Sequence, residues 1–207
     1  MVDSNPFEKV KARKATVQPV KPFSVDEIQR IIKGFETQAP HYVPFVKFLF
    51  LTGVRISEAI GLRWGNVDFS RNEAVIKESL SKDRTGNGYS RIRKETKTGS
   101  IRHLTLSPDL RALLLALEPT EGLVFHSVKG CAIDSGNFRE LWKVILAGCG
   151  VSYRKPHAIR HTTLSHAVEQ GIPLTGVAYL AGHKNTRQVI ETYGHMINRP
   201  SLPDMPV

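Results

Sequence analysis

Apolar residues along this chain change their spacing twice, and this change limits the fold to helices around one small sheet. Near the N-terminal end they recur at the helical spacing i, i+3, i+4 and i+7, as Ile28, Ile31, Ile32 and Phe35. Ser24 followed by Glu27 has the pattern of a capping box, which predicts that a helix begins directly after Ser24. Further helices are predicted from Tyr42 to Leu51, with a break at Gly53, and from Ile56 to Leu62.

The middle of the chain has the composition of strands and turns. Strands are predicted at residues 74–76, 89–96 and 101–106, separated by glycine-containing turns at 85–88 and 98–99. Glycine and asparagine favour tight turns because they tolerate left-handed backbone conformations. This segment therefore predicts a small antiparallel sheet.

Helical patterns return after the strands. Helices are predicted at 108–117, around the apolar stripe of 138–145, and at 156–170, 174–180 and 186–193. The order of helices, sheet and helices predicts an α+β fold that is mostly α, with a small antiparallel β-sheet at one edge. A chain of 207 residues is long enough for one such domain with a sizeable core.

The two ends of the chain differ from this domain. Residues 1–22 are basic, contain three prolines and lack helical spacing, so we expect a linker or arm there. The helical and strand patterns occupy residues 23–199, which we expect to form one domain. Residues 200–207 contain Pro200, Pro203 and Pro206, which break any helix and leave at most an extended tail.

The charge of the chain indicates a polyanionic partner. Its formal net charge is +10 and its pI about 9.8, and the commonest partner of such a chain is nucleic acid. Half of that charge lies between residues 82 and 102, where seven basic residues face only Asp83 and Glu95. The basic residues are Lys82, Arg84, Arg91, Arg93, Lys94, Lys97 and Arg102. We expect this hairpin to lie on the phosphates of double-stranded DNA; a solvated hairpin is the alternative.

The cysteines and the hydropathy of the chain limit where the protein can be located. Cys131 and Cys149 do not form a CxxC pair, which favours a reduced, cytoplasmic protein. The longest apolar run, at residues 43–54, is interrupted by Lys47 and is too short to span a bilayer. We therefore predict no membrane role.

Three residues have the properties that chemistry on a phosphodiester requires. Arginine suits the non-bridging oxygens because its planar fork pairs with two oxygens and stays protonated. Arg55 lies between two predicted helices, so its head can project, although by itself a structural pair with Glu58 is the simpler interpretation. His157 and Arg160 are three residues apart near the start of a predicted helix and therefore share one face.

The i, i+4 pair of His157 and His161 has the spacing of a helical zinc site. The intervening residues Ala158, Ile159 and Arg160 include no carboxylate base, and the guanidinium would repel a metal ion. We predict no metal and no other cofactor.

A single histidine in the position of His183 usually caps a helix end, and a single tyrosine in the position of Tyr193 is usually a packing residue. Five segments taken in order, however, resemble the tyrosine recombinase, or phage integrase, family. They are LTGVRISEAIGLRW at 51–64, TKTG at 96–99, PHAIRHT at 156–162, LAGHK at 180–184 and TY at 192–193. The resemblance extends from about Phe23 to His195, whereas one such segment alone would be weak evidence.

The resemblance implies the family's catalytic-domain fold and its chemistry. The catalytic residues that it implies are Arg55, Lys97, His157, Arg160, His183 and Tyr193. Tyr193 would attack the scissile phosphate and leave a 3′-phosphotyrosyl bond and a free 5′-hydroxyl, without ATP or metal. His157 is our candidate for the acceptor of the tyrosine proton, or for a residue that orients the phosphate.

The remaining roles follow the same resemblance. Arg55, Arg160 and His183 would hold the non-bridging oxygens, and Lys97 would protonate the departing 5′-oxygen. Glu58 and His161 are expected to brace the arginines.

Most members of this family carry an N-terminal helical domain that grips the opposite face of the duplex, and this sequence shows no counterpart. We therefore expect the catalytic part of a longer recombinase, with a naturally short homologue as the alternative. The family's segment after the tyrosine commonly docks on a neighbouring protomer. Because only a short tail follows Tyr193, we expect a monomer in solution and a tetramer on DNA.

Two other functions stay open from the sequence. A type IB topoisomerase shares the chemistry but relaxes supercoils without exchanging partners. A catalytically silent DNA-binding regulator would have no reason to keep all six catalytic residues. The sequence therefore favours a site-specific recombinase.

Overall fold

A computed structural model describes residues 21–82, 91–95, 101–183 and 186–194. At Lys82, residues 91–95 and Gln188 it describes the backbone alone. Most of the expected arm at 1–22 and all of the expected tail at 200–207 lie outside the described residues.

The first two helices have the boundaries that the sequence predicts within one or two residues. Helix α1 spans Val25–Gln38, and its capping box is formed: the Ser24 hydroxyl accepts a hydrogen bond from the Glu27 amide, while the Glu27 carboxylate accepts one from the Ser24 amide. Helix α2 spans Val43–Thr52 and ends at Gly53, whose φ of 62° is left-handed. A residue with a side chain would be strained there, so the glycine ends α2 and redirects the chain.

A short third helix and five strands follow among the described residues. Helix α3 spans Ile56–Gly61. One antiparallel sheet has the order β1-β2-β5, with β1 at Val67–Asp68, β2 at Glu73–Ile76 and β5 at Arg102–Thr105. A separate antiparallel pair consists of β3 at Glu78–Lys82 and β4 at Arg91–Glu95. The predicted small antiparallel sheet is thus divided in two.

Strand β3 is not among the strands that the sequence predicts. Leu80 is its one apolar residue, so the strand gives no hydrophobic signal beyond a single buried side chain. The strand is held instead by its pairing with β4 and by close packing on α3. A Cβ atom on Gly61 would lie 3.0 Å from the backbone nitrogen of Leu80, so the missing side chain of Gly61 allows this approach.

The remaining helices overlap the predicted ones. They are α4 at Pro108–Leu115, α5 at Ser135–Gly148, α6 at Ala158–Glu169, α7 at Leu174–Ala181 and α8 at Arg187–Tyr193. The helix predicted to begin at Pro156 begins at Ala158, with His157 as its N-cap residue. The prediction of a mostly α domain with a small antiparallel sheet is confirmed.

The apolar core has two parts of unequal size. The larger part surrounds Phe35, Phe138 and Trp142, and it includes the first turn of α6. The smaller part is built from α6, α7 and α8, and its members are Leu164, Ala167, Val168, Val177, Ala178, Ala181, Val189 and Tyr193. Helix α6 therefore connects the main core to the helix that carries Tyr193. Among the described residues, no helix is both long and apolar enough to cross a membrane.

The close packing at Gly61 leads to a stability prediction. Gly61→Ala should lower the free energy of unfolding by about 1–3 kcal/mol, because the new methyl group meets the backbone of β3 and the strand must move. Urea unfolding followed by circular dichroism measures the change. Gly65→Ala is the control, since nothing lies within 4 Å of a Cβ atom at that position. An equal loss of stability in both variants would contradict the packing argument.

Candidate active site

Arg55 is placed by the turn between α2 and α3. It is the N-cap residue of α3, with an extended backbone at φ −68° and ψ 146°. Its amide donates to Glu58 Oε2 at 2.9 Å and its Nη1 donates to Glu58 Oε1 at 2.8 Å. The side chain of Arg55 is 24% exposed, whereas that of Glu58 is 1% exposed. Glu58 thus fixes the arginine head while leaving part of it accessible.

Arg160 reaches across the site from the first turn of α6. Its Nη1 donates to the carbonyl oxygen of Gly53 at 3.0 Å, and its Nη2 donates to the carbonyl oxygen of Ala181. Burial and the nearby Arg55 charge lower the pKa of Arg160 to about 10, so the guanidinium remains protonated at neutral pH. Its Nε and its second Nη1 hydrogen are not used in these contacts and can serve a ligand.

His157 and His161 lie side by side at the start of α6, with ring centroids 5.1 Å apart and planes at 84°. His157 has an exposed face, but desolvation where its ring packs against His161 lowers its pKa to about 4, and the charges of protonated His161, Arg160 and Arg55 act in the same direction. Burial, followed by the Arg160 charge, also lowers the pKa of His161. Both imidazoles are therefore neutral at pH 7, and each has a free electron pair that can accept a proton or a hydrogen bond.

Tyr193 lies at the C-terminal end of α8 and contacts His161. Its hydroxyl lies 2.9 Å from His161 Nδ1, and it donates to that nitrogen when the neutral ring carries its proton on Nε2. The residue is 4% exposed and packs in the smaller part of the core. Burial raises the pKa of Tyr193 to about 12, and the Arg160 charge opposes this only in part. The phenol is thus neutral and shielded in this conformation.

His183 follows the end of α7, where Gly182 adopts the left-handed conformation with φ 58°. Its Nε2 lies 3.4 Å from Arg160 Nη2. Its Nδ1 is buried without a hydrogen-bond partner among the described residues. Burial and the charges of Arg160, Arg55 and Arg102 lower the pKa of this ring. Within the described part of the chain, no three His, Cys, Asp or Glu side chains come close enough to hold a metal ion.

This arrangement of arginines, histidines and a tyrosine agrees with a family match. Residues 21–199 match the model of the phage integrase family. The chain belongs to the phage integrase family.

Curated relatives carry the same family assignment in their names. The tyrosine recombinase XerC-like protein of Caldanaerobacter subterraneus subsp. tengcongensis is 32% identical over 95% of this chain and 54% of its own length. Tyrosine recombinase XerD of Neisseria meningitidis serogroup B is 29% identical over 83% of this chain and 57% of its own length. The chain therefore spans little more than half the length of these relatives.

Solved structures of integrases share the fold. The Tn1549 transposon integrase in complex with transposon right end DNA matches with a TM-score of 0.77 at 17% identity, over 93% of this chain and 68% of that one. The catalytic domain of bacteriophage HP1 integrase matches with a TM-score of 0.62 at 18% identity, over 85% of this chain and 88% of that one. The expected catalytic-domain fold is confirmed by these likenesses.

Five of the six catalytic residues implied by the family resemblance are described, and they gather around Arg160. His183 and the turn before Arg55 contact Arg160 directly, while His161 connects His157 with Tyr193. Lys97 lies outside the described residues, so its place in the site stays a prediction.

Five of the six basic residues predicted to contact DNA have side chains outside the described residues. Arg84 lies outside the described residues, and the side chains of Lys82, Arg91, Arg93 and Lys94 do so too, although their backbones form β3 and β4. Their contact with DNA stays a prediction.

The prediction that Arg102 contacts DNA is wrong. Its side chain is 1% exposed and is bonded to Glu58. Residues alternate across strand β5, and Arg102 shares the buried face with Leu104 while His103 faces outward. A count of basic residues between 82 and 102 does not reflect this alternation, so it places Arg102 on the surface.

Two further residues make contacts that differ in part from expectation. Glu58 contacts Arg55, as the sequence suggests, and also Arg102. His161 was expected to brace an arginine, whereas its Nδ1 contacts the Tyr193 hydroxyl. The carbonyl groups of Gly53 and Ala181, which hold Arg160, have no side-chain signature and were missed.

The lowered pKa values predict a loss of stability in acid. His157 has a pKa of about 4 in the folded protein and an ordinary value of 6.5, so the unfolded chain binds its proton more readily. Its contribution to stability is complete above pH 6.5 and is lost as the pH falls toward 4; His161 and His183 act in the same direction. In His157→Gln, the free energy of unfolding should therefore depend less on pH between 7 and 4.5.

Urea unfolding at several pH values measures this dependence, and NMR titration of the histidine rings assigns it. The signal absent from His157→Gln should have a midpoint near pH 4 in the wild-type protein. A midpoint at or above 6.5 would contradict the packing and charge arrangement described for this ring.

Proposed function

We propose that this chain is the catalytic part of a site-specific DNA recombinase that cleaves and rejoins DNA through a 3′-phosphotyrosyl intermediate. The observation that carries the proposal is the contact between the Tyr193 hydroxyl and His161, on the same helix turn as Arg160. A nucleophile, a proton acceptor and a phosphate-binding arginine thus lie together. The names of the relatives as tyrosine recombinases support the same function.

Arg55, Arg160 and His183 are suited to hold the scissile phosphate. The Arg160 fork is fixed by two carbonyl groups, so its remaining donors point in a set direction. Arg55 is fixed by Glu58 and remains partly exposed. Donors that are fixed before the reaction stabilise the developing charge of the transition state without a cost of reorganisation.

The proton of Tyr193 passes to His161 in our proposal, instead of to His157 as the sequence suggests. His161 is neutral, and with its proton on Nε2 it accepts the hydrogen bond of the phenol at Nδ1. Burial raises the pKa of Tyr193 to about 12 and lowers the pKa of His161, so complete transfer of the proton before attack is strongly unfavourable. The proton therefore moves together with the attack on phosphorus.

Cleavage exchanges one bond to phosphorus for another. Tyr193 Oη forms a bond to phosphorus, the bond from phosphorus to the 5′-oxygen breaks, His161 takes the phenol proton, and Lys97 protonates the leaving oxygen. The new bond keeps the energy of the phosphodiester, so rejoining is the reverse step and no nucleotide is consumed. His157, beside His161, would orient the phosphate.

DNA must also expose the nucleophile. Tyr193 is 4% exposed and its ring packs among apolar side chains, so a phosphate cannot approach it in this conformation. We propose that double-stranded DNA binds across the arginines and that α8 then moves to present the phenol. The structure of Tn1549 integrase with DNA supports the choice of partner.

Assembly and location are part of the same proposal. We propose a monomer in the absence of DNA and a tetramer on DNA. The bacterial origin of the XerC and XerD relatives supports a cytoplasmic location. The same relatives favour recombination over the relaxation of supercoils or a silent regulatory role.

The first test of this function is covalent capture. A nicked suicide DNA substrate should give a protease-sensitive protein–DNA adduct on Tyr193, because the cleaved strand diffuses away and rejoining cannot occur. Tyr193→Phe should give no adduct and should still bind DNA in a mobility-shift assay. Peptide mapping that places the adduct on Tyr42, Tyr89, Tyr153 or Tyr179 would refute the assignment.

The second test separates the two histidines. Asparagine at position 161 keeps a hydrogen-bond acceptor but cannot take a proton, so His161→Asn should slow single-turnover cleavage by roughly 100-fold or more. His157→Gln should slow cleavage less and should leave the pH profile of the wild-type enzyme in place. Cleavage by His161→Asn at the wild-type rate would show that His161 holds the tyrosine without accepting its proton.

A further inference from the structure

Arg102 is a buried arginine whose position is not explained by DNA contact. It is among the largest fully buried side chains of the protein. A buried guanidinium is expensive to desolvate, and a well-packed apolar residue in its place is often as stabilising or more so. In addition, its Nε has no hydrogen-bond partner among the described residues. Its contribution is therefore better sought in what its two ends hold in place.

One end of the guanidinium holds Glu58. Arg102 Nη2 donates to Glu58 Oε2 at 2.5 Å, and the same carboxylate accepts the amide and the Nη1 of Arg55. Burial alone would raise the pKa of Glu58, but the Arg102 charge and the hydrogen bonds from both arginines lower it. Glu58 is therefore an anion that joins the two arginines, and Arg102 fixes the carboxylate that orients Arg55.

The other end holds the C-terminal turn of α7. Arg102 Nη1 donates to the carbonyl oxygen of Leu180 at 3.2 Å. A Cβ atom on Gly182 would overlap the Arg102 guanidinium, so the glycine backbone packs directly on it. His183 is the next residue. A second tether lies beside the first, because the Tyr179 hydroxyl bonds both the amide and the carbonyl of His103.

We infer that Arg102 is a positioning residue that sets Arg55 and His183 at a fixed separation, acting on Arg55 through Glu58 and on His183 through the end of α7. The inference rests on the proposed function, since it assigns both residues to the scissile phosphate. A planar fork can reach the carboxylate and the carbonyl at once, whereas the single ammonium of lysine cannot hold both in the same geometry.

The test compares Arg102→Met and Arg102→Lys with the wild-type chain in single-turnover cleavage of a nicked substrate. Both variants should be slower by about 100-fold, because displacement of catalytic groups by about 1 Å can cost that much. Arg111→Met is the matched control. Arg111 also binds a backbone carbonyl, that of Phe69, but its contacts do not involve the site. The Arg111→Met variant should cleave at the wild-type rate per folded molecule.

Modified substrates distinguish positioning from other roles. A methylphosphonate, in which a methyl group replaces one non-bridging oxygen, needs less charge stabilisation, so the defect of Arg102→Met should be clearly smaller on it. A substrate with sulfur as the 5′-bridging atom needs no acid, and it should rescue Lys97→Ala but not Arg102→Met. Equal defects of Arg102→Met on the unmodified, methylphosphonate and sulfur-containing substrates would show a merely structural role. A weaker salt dependence of DNA binding in Arg102→Met would show instead that Arg102 contacts DNA.

A readout without catalysis keeps the inference separate from the proposed function. The amides of Arg55 and His183 donate to Glu58 and to the carbonyl oxygen of Ala178. Hydrogen exchange at both should become faster in Arg102→Met and stay unchanged in Arg111→Met. If the wild type formed no adduct but exchange changed in this way, the function would fail and the positioning role would stand. Unchanged exchange at both amides would overturn it.

Discussion

The carboxylate of Glu58, buried between two guanidinium groups, is the interaction on which the rest of the site depends. It caps α3, orients Arg55 and neutralises Arg102, so one anion serves a helix end and two arginines. Without it, two positive charges would face each other in the interior, where charges repel far more strongly than in water. Arg160 avoids the same problem by binding carbonyl oxygens, which offer partial negative charge without a second carboxylate.

Local patterns allowed most of the helical fold to be predicted. The capping box at Ser24 and the glycine at position 53 mark helix ends through backbone chemistry that does not depend on distant residues. Strand β3 could not be found in this way, because Leu80 is its one apolar residue and its stability comes from β4 and from the bare backbone of Gly61. Contacts with other segments, such as β4 and α3, leave no mark on the spacing of a polar strand.

The site could be predicted as a set of residues but not as a set of contacts. Ordered motifs that resemble those of the family pointed to Arg55, Arg160 and Tyr193, and the structure brings their surroundings together. Which histidine meets the phenol depends on how α8 packs against α6, 32 residues away in sequence. Arg102 was misjudged for a related reason: composition counts charges, whereas the alternation of side chains along a strand decides which of them reach solvent.

The division of the apolar core has a consequence for how activity can be tuned. Tyr193 is held by a small group of side chains on α6, α7 and α8, apart from the large aromatic cluster that holds the rest of the domain together. That small group contains far fewer buried side chains than the larger part of the core, so we expect its opening to need less free energy than unfolding of the domain. Under the proposed function, substitutions among its valines and alanines would change how often Tyr193 is presented, while every residue proposed to take part in the chemistry stays the same.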